Sequence, residues 1–154
     1  DEDLRSYTRL GGLFTLLFAQ PLSRIVAMRT DQVTTTPDGG VHVTFGAVPI
    51  QMPPILDDLI RDHLHLRGQS PYGRDAGWLF PGGIPGRPLT TENIRSQLVA
   101  IGVKPYQSRK AALFQLAAEI PAPVLAELLG TTNRNAAKWS HLAARDWQHY
   151  HSLR

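Results

Sequence analysis

The chain has 154 residues, 42% of them hydrophobic and 19% charged, with a formal net charge of +3, a composition that fits one sizeable core and excludes a disordered tail. The longest apolar stretch, Leu13 to Ala19, is too short to span a bilayer, and the acidic start Asp1-Glu2-Asp3 is the opposite of a signal peptide's basic leader. The absence of cysteine excludes disulfides and thiolate metal sites. A cytoplasmic protein without a membrane partner is therefore expected. The cations are 13 Arg against 3 Lys; Arg suits bidentate contact with phosphate and guanine, although a GC-rich genome also raises its usage.

From Leu4 to Phe18 the apolar residues Leu4, Tyr7, Leu10, Phe14, Leu17 and Phe18 recur at steps of three and four, which predicts a helix. Pro21 opens a second, short helix to Arg29. The β-branched runs Val33 to Thr36 and Val41 to Phe45 flank Thr-Pro-Asp-Gly-Gly, a turn sequence in which Pro fixes φ and Gly accepts positive φ. With Val48 to Met52 they predict a three-stranded antiparallel sheet. Pro53 and Pro54 begin a helix to about Leu66, followed by a loop over 68–77, the short buried segment Trp78-Leu79-Phe80 and a Gly/Pro loop over 81–88.

The remainder reads as helix. Thr90 or Thr91 caps a helix to Ile101, with Glu92 near its positive end. Ser108 to Ile120, Ala122 to Leu129 and Asn133 to about Ala144 follow, with Gly130 as a stop signal, and a final helix runs through Tyr150. The expected fold is mainly α with a small antiparallel β-sheet (α+β), one domain over 1–154. Because the sequence opens inside a helical pattern, a fragment of a longer protein is expected.

That element order and several strings resemble the catalytic domain of tyrosine recombinases, the phage-integrase family. Leu16-Leu17-Phe18-Ala19, then Leu22-Ser23 and Ala27-Met28-Arg29, is similar to the helix pair that carries the family's first catalytic arginine. Trp78-Leu79-Phe80-Pro81 and Pro88-Leu89-Thr90 resemble the stretch leading to the second. Leu128-Leu129-Gly130 resembles the family's Leu-Leu-Gly-His, and Lys138-Trp139-Ser140-His141-Leu142-Ala143 the segment around its nucleophile. Together these similarities cover roughly residues 10 to 145.

The resemblance implies a reaction in which a Tyr hydroxyl attacks a DNA phosphodiester. Two Arg and a Lys or His neutralise the charge building on phosphorus, and an acid protonates the leaving 5′ oxygen. The second arginine aligns with Arg109, in Tyr106-Gln107-Ser108-Arg109, where Tyr106 replaces the family's His. Thr131 stands where His or Trp should follow Gly130, and Trp139 stands at the nucleophile position; an indole cannot attack phosphorus. At the first arginine, an ungapped register puts Pro21 in the role and a small gap restores Arg24. Phe45-Gly46-Ala47-Val48 has no Lys at the turn where the family carries one.

Each residue also has a plainer reading: Arg109 as a surface arginine at a helix start, Trp139 as a core aromatic, Tyr106 as packing under Pro105. Tyr150 is the other C-terminal candidate nucleophile, eleven residues beyond Trp139, about 16 Å along a helix. The pair His63 and His65, like His141, His149 and His151, reads as packing or solvated histidines, because neighbours two apart on a helix face different ways. No metal and no cofactor is expected.

A separate pattern over 122–140 resembles a helix-turn-helix, which would put Thr132, Asn133, Arg134 and Lys138 in a major groove. The expectation is a domain that binds double-stranded DNA through Arg24, Arg109, Lys110, Arg134 and Lys138 without strand cleavage. It is expected to be nucleoid-associated, to form homo-oligomers on DNA, and to lack the N-terminal clamp domain of such recombinases. The alternatives are an active recombinase using Tyr150 and a protein-interaction module on the same fold.

Overall fold

A computed structural model describes residues 2–69 and 77–152, with side chains over 6–67 and 77–146. Tyr7, Leu10 and Phe14 follow one another at helical steps and are all buried, so the apolar spacing becomes α1 (Glu2–Phe18). Ala19 ends it in the left-handed region at φ 55°. Its N–H donates to Thr15 O at 3.1 Å, and the Gln20 N–H to Phe14 O at 3.2 Å.

The second helix, α2, is Leu22–Val26 and shorter than expected. Arg29 is extended, with φ −113° and ψ 157°. It forms a bridge with Trp78 and sets its guanidinium 4.6 Å from the centre of that indole. Pairing with a distant segment here replaces the last helical turn.

A 3-10 turn, Thr30–Gln32, leads into β1 (Val33–Thr35), β2 (Val41–Val43) and β3 (Ile50–Gln51), an antiparallel sheet in the order β1-β2-β3. Val33 pairs with Val43, and Val43 with Ile50. Val41 and Val43 are fully buried while His42 between them is half-buried, the alternation of a one-sided sheet.

Helix α3 spans Pro54–Gln69 and α4 Thr91–Ala100, the latter capped by Thr90 Oγ1 accepting from Asn93 N at 3.1 Å. Helix α5, Pro105–Glu119, starts three residues earlier than Ser108 because Pro105 sits at the first helical position, where its missing N–H costs nothing. Tyr106 and Arg109 thereby share one helix. α6 is Ala122–Leu129, closed by Gly130 at φ 75°. Asn133–Ser152 is one helix, α7, where two were expected; 140–152 contains no Gly or Pro to divide it. Five helices, α3 to α7, follow the sheet in the described residues.

Two apolar clusters result. The larger gathers α1, the sheet, α3 and α4 around Phe14, Ile60, Phe80, Ile94 and Leu98. Through it runs an aromatic line: Tyr7 and His63 meet Phe80, Phe80 meets Phe14, and Phe14 meets Phe45, with ring centres 5.1–6.4 Å apart. His63 is fully buried and belongs to this core. Its Nε2 donates to Leu79 O at 2.7 Å, since a carbonyl can only accept, and its Nδ1 lies 2.7 Å from the Ser6 hydroxyl. The smaller cluster holds α5, α6 and α7 together through Leu113, Leu125, Leu129, Ala136 and Ala143. Phe18 packs against both, so the end of α1 is the seam between them. No helix among the described residues is long and apolar enough to cross a membrane.

Candidate functional site

At the seam, the segment Ala19-Gln20-Pro21 is pinned from three directions. Gln20 Nε2 donates to Phe18 O (2.9 Å) and to Leu129 O (3.0 Å), tying the end of α1 to the end of α6. Arg109, on the second turn of α5, donates Nε–H to Ala19 O at 2.9 Å. That carbonyl belongs to the residue with positive φ, so the strained turn aims it at α5.

Arg24, on α2, works as a three-way clasp. Its Nη1 donates to Gly130 O at 2.7 Å and to Leu129 O at 3.3 Å, and its Nη2 to Phe45 O at 2.8 Å. The hairpin between β2 and β3 is locked in from the other side by Ala47 N donating to Glu127 O at 2.8 Å. Gly46 has no room for a side chain: a Cβ there would run into Glu127 O and come within 2.6 Å of Gly130 N. Three stretches far apart in sequence thus meet at one point.

Between them lies a cavity of about 220 Å³ lined by Pro21, Arg24, Arg109, Gly130, Thr131 and Thr132, among others. One water takes about 30 Å³ of liquid volume, so the space admits a phosphate group. Both registers considered for the first arginine, Pro21 and Arg24, reach it, and only Arg24 brings charge. Burial lowers the Arg109 pKa from its ordinary value, the charge of Arg24 lowers it further, and Tyr106 opposes the shift. The two guanidinium groups therefore repel across the cavity. No carboxylate lines this cavity, so none answers Arg24 or Arg109 there.

Donors remain to meet an anion. Arg109 spends Nε on Ala19 O, which leaves its Nη hydrogens. Thr131 Oγ1 accepts from Asn135 Nδ2 at 2.7 Å and Thr132 Oγ1 accepts from Asn135 N at 3.1 Å, so both hydroxyl hydrogens are available to donate. Thr132 caps α7, whose positive end faces the same space.

The other nominated residues fall elsewhere. Tyr106 is 68% exposed and lines a neighbouring cavity with Arg109. Lys110 Nζ sits 4.3 Å from the centre of its ring. A hydrogen bond from Lys110 lowers the Tyr106 pKa, as do the charges of Lys110, Lys138 and Arg109. Lys110 and Lys138 therefore flank the arginines on the α5 and α7 faces. Arg134 is exposed on the first turn of α7 and is not part of the cavity wall. Trp139 is half-buried and packs against the smaller core. The backbone of Tyr150 continues α7, while its side chain lies outside the described ones, as do those of His149 and His151.

Sequence reasoning did not nominate Ala19, Gln20, Phe45 or Gly46. Ala gives no signal for positive φ, the roles of Gln20 and Gly46 depend on segments about 80 to 110 positions away in the chain, and that of Phe45 depends on Arg24, 21 positions earlier. For Gly46, its place in a hairpin next to the Lys-less turn was the available hint.

No protein-family model matches the sequence, and no curated protein matches it. Among solved structures, the fold is similar to that of the XerH site-specific recombinase, crystallised with its palindromic difH substrate in a post-cleavage complex. The TM-score is 0.71 at 13% sequence identity, over 99% of this chain and 47% of that one. The chain spans about half the length of that recombinase, and the expected mainly helical fold of a tyrosine-recombinase catalytic domain is what is found.

Proposed function

We propose that this chain is a recombinase-like domain that binds duplex DNA through a phosphate held by Arg24 and Arg109, and that it does not cleave the strand. The observation that carries the proposal is the convergence of two repelling guanidinium groups on a cavity without a carboxylate. A phosphate diester supplies the missing negative charge and accepts from both. The XerH complex, solved with DNA, supports the choice of anion. Lys110 and Lys138 extend the positive surface on one side. Arg134 and Lys138 extend it along α7, with the uncharged polar Thr132 and Asn133 beside them, all four exposed. The helix-turn-helix pattern and the recombinase pattern thus describe adjoining parts of one face, with Thr131 and Thr132 at their junction.

Five cations, Arg24, Arg109, Lys110, Arg134 and Lys138, set the expected salt dependence. If all five meet phosphates, log Kobs falls against log salt with a slope of about −4.5. Fluorescence anisotropy with a labelled duplex between 50 and 200 mM salt measures it; failure to bind any duplex at low salt would instead favour a protein-interaction module.

The absence of cleavage rests on Trp139, whose indole occupies the aligned nucleophile position and packs against the smaller core. A nicked suicide substrate is expected to yield no covalent adduct with this chain. Trp139→Tyr is expected to yield none either, because Tyr106 and Thr131 still replace the family's His and its His or Trp, and the turn Phe45-Gly46-Ala47-Val48 still has no Lys. An adduct with the unaltered chain overturns this half of the proposal, and its loss in Tyr150→Phe or in Tyr106→Phe would identify the nucleophile.

A further inference from the structure

Arg109 and Pro21 line a second cavity as well, about 400 Å³ in volume, between α2, α4 and the start of α5. Its character is different. The walls are apolar: Pro21, Leu22, Val99, Pro105 and the ring of Tyr106. Its charged lining residues are Arg95, Lys104 and Arg109, all cations, and no carboxylate lines it. Val99 is 57% exposed, so an apolar surface faces solvent beside three positive charges.

A ligand that satisfies both cavities carries an anionic group and a flat apolar group joined by a short link. A nucleotide has this form. Its phosphate and base are joined through one sugar, and the two cavities adjoin, with Pro21 and Arg109 in the walls of both. Tyr106 provides a stacking surface: Lys110 covers one side of the ring, which leaves the residue 68% exposed. Gln107, also in the wall, can both donate to and accept from a base edge. An acidic apolar peptide would meet the same charges, but nothing in it ties an apolar group to the neighbouring anion site at a fixed distance.

We infer that the second cavity receives one unpaired nucleobase of a DNA strand whose adjacent phosphate lies on Arg24 and Arg109. The inference rests on the DNA reading of the anion site. The chain accordingly favours duplexes with an extrahelical base over fully paired ones, because a base already out of the stack needs no unpairing.

Three duplexes of one sequence test this by anisotropy: fully paired, with a single extrahelical base, and with an abasic residue at that bulge. The extrahelical base is expected to bind about ten-fold more tightly than the paired duplex, the size of one stacked base. The abasic bulge, which bends the backbone equally, should lose that gain. Val99→Trp, at an exposed position, fills the cavity without changing charge and should bring the ratio of bulged to paired affinity close to one; Tyr106→Ala, which removes the stacking ring, should lower it as well. Equal binding of the base and abasic bulges overturns the inference while leaving duplex binding intact, as does an unchanged ratio in both variants. Binding of none of the three at low salt overturns the DNA reading, and this inference with it.

Discussion

Gly46→Ala is expected to lower the melting temperature by about 10 °C, through a loss of about 3–4 kcal/mol. The new Cβ would collide with Glu127 O and approach Gly130 N and Cα to 2.6 and 2.9 Å, all backbone atoms of a helix end that cannot rotate away. The hairpin must therefore lift from α6. Doing so breaks the Ala47 N–Glu127 O bond and the Arg24 Nη2–Phe45 O bond, and pulls Phe45 from its edge contacts with Phe14. Arg24 then loses one of its three anchors, so duplex binding should fall along with stability. Thermal unfolding followed by circular dichroism decides the matter, and a midpoint within 2 °C of the unaltered chain would show that the hairpin is not locked there.

Arg109→Ala is expected to weaken duplex binding about 20-fold while changing stability by about 1 kcal/mol, the value of its single bond to Ala19 O against a lost charged contact to phosphate. Arg24→Ala should lose both properties. Its side chain serves three carbonyls at Phe45, Leu129 and Gly130, and stranding them costs about 2–4 kcal/mol in addition to the lost phosphate contact. Arg24→Lys separates the two roles: the charge stays, but an ammonium on a flexible stem cannot span the hairpin and α6 as a planar fork does. It should recover most of the salt dependence and little of the stability. Parallel anisotropy and urea titrations on the three variants check this. Binding by Arg109→Ala equal to that of the unaltered chain at 50 mM salt would remove the anion site from the account.

The order of helices and strands was legible because it is carried by local signals. Tyr7, Leu10 and Phe14 at helical spacing, the Thr90 cap, the turn at Pro37-Asp38-Gly39 and Gly130 as a stop each act over a few residues. Boundaries failed where a distant partner or a position-specific residue decided them. Arg29 leaves the helical pattern to meet Trp78, Pro105 starts α5 three residues before the expected Ser108, and α7 runs on past Ala144. Of the candidate site, Arg109 could be named from a short motif, whereas the choice between Pro21 and Arg24 could not be made from spacing. Trp139 could be read as chemically unable to act as a nucleophile, but whether it packs or faces DNA required α5 and α6 beside it.

By itself, the sequence determined that this chain folds mainly as helices around a small sheet. It also determined that position 139 holds an indole and that arginine dominates the cations. These follow from side-chain chemistry and from periods of two and 3.6 residues, which are local properties. Only the tertiary structure decided that Arg24 and Arg109 face one cavity, with no carboxylate between them and the start of α7 at its edge. That meeting joins α2 to Gly130, 106 positions later, and α5 to Ala19, 90 positions earlier. It depends on two packed cores and a glycine with no space for a methyl group, neither of which leaves a trace in the residues beside the arginines.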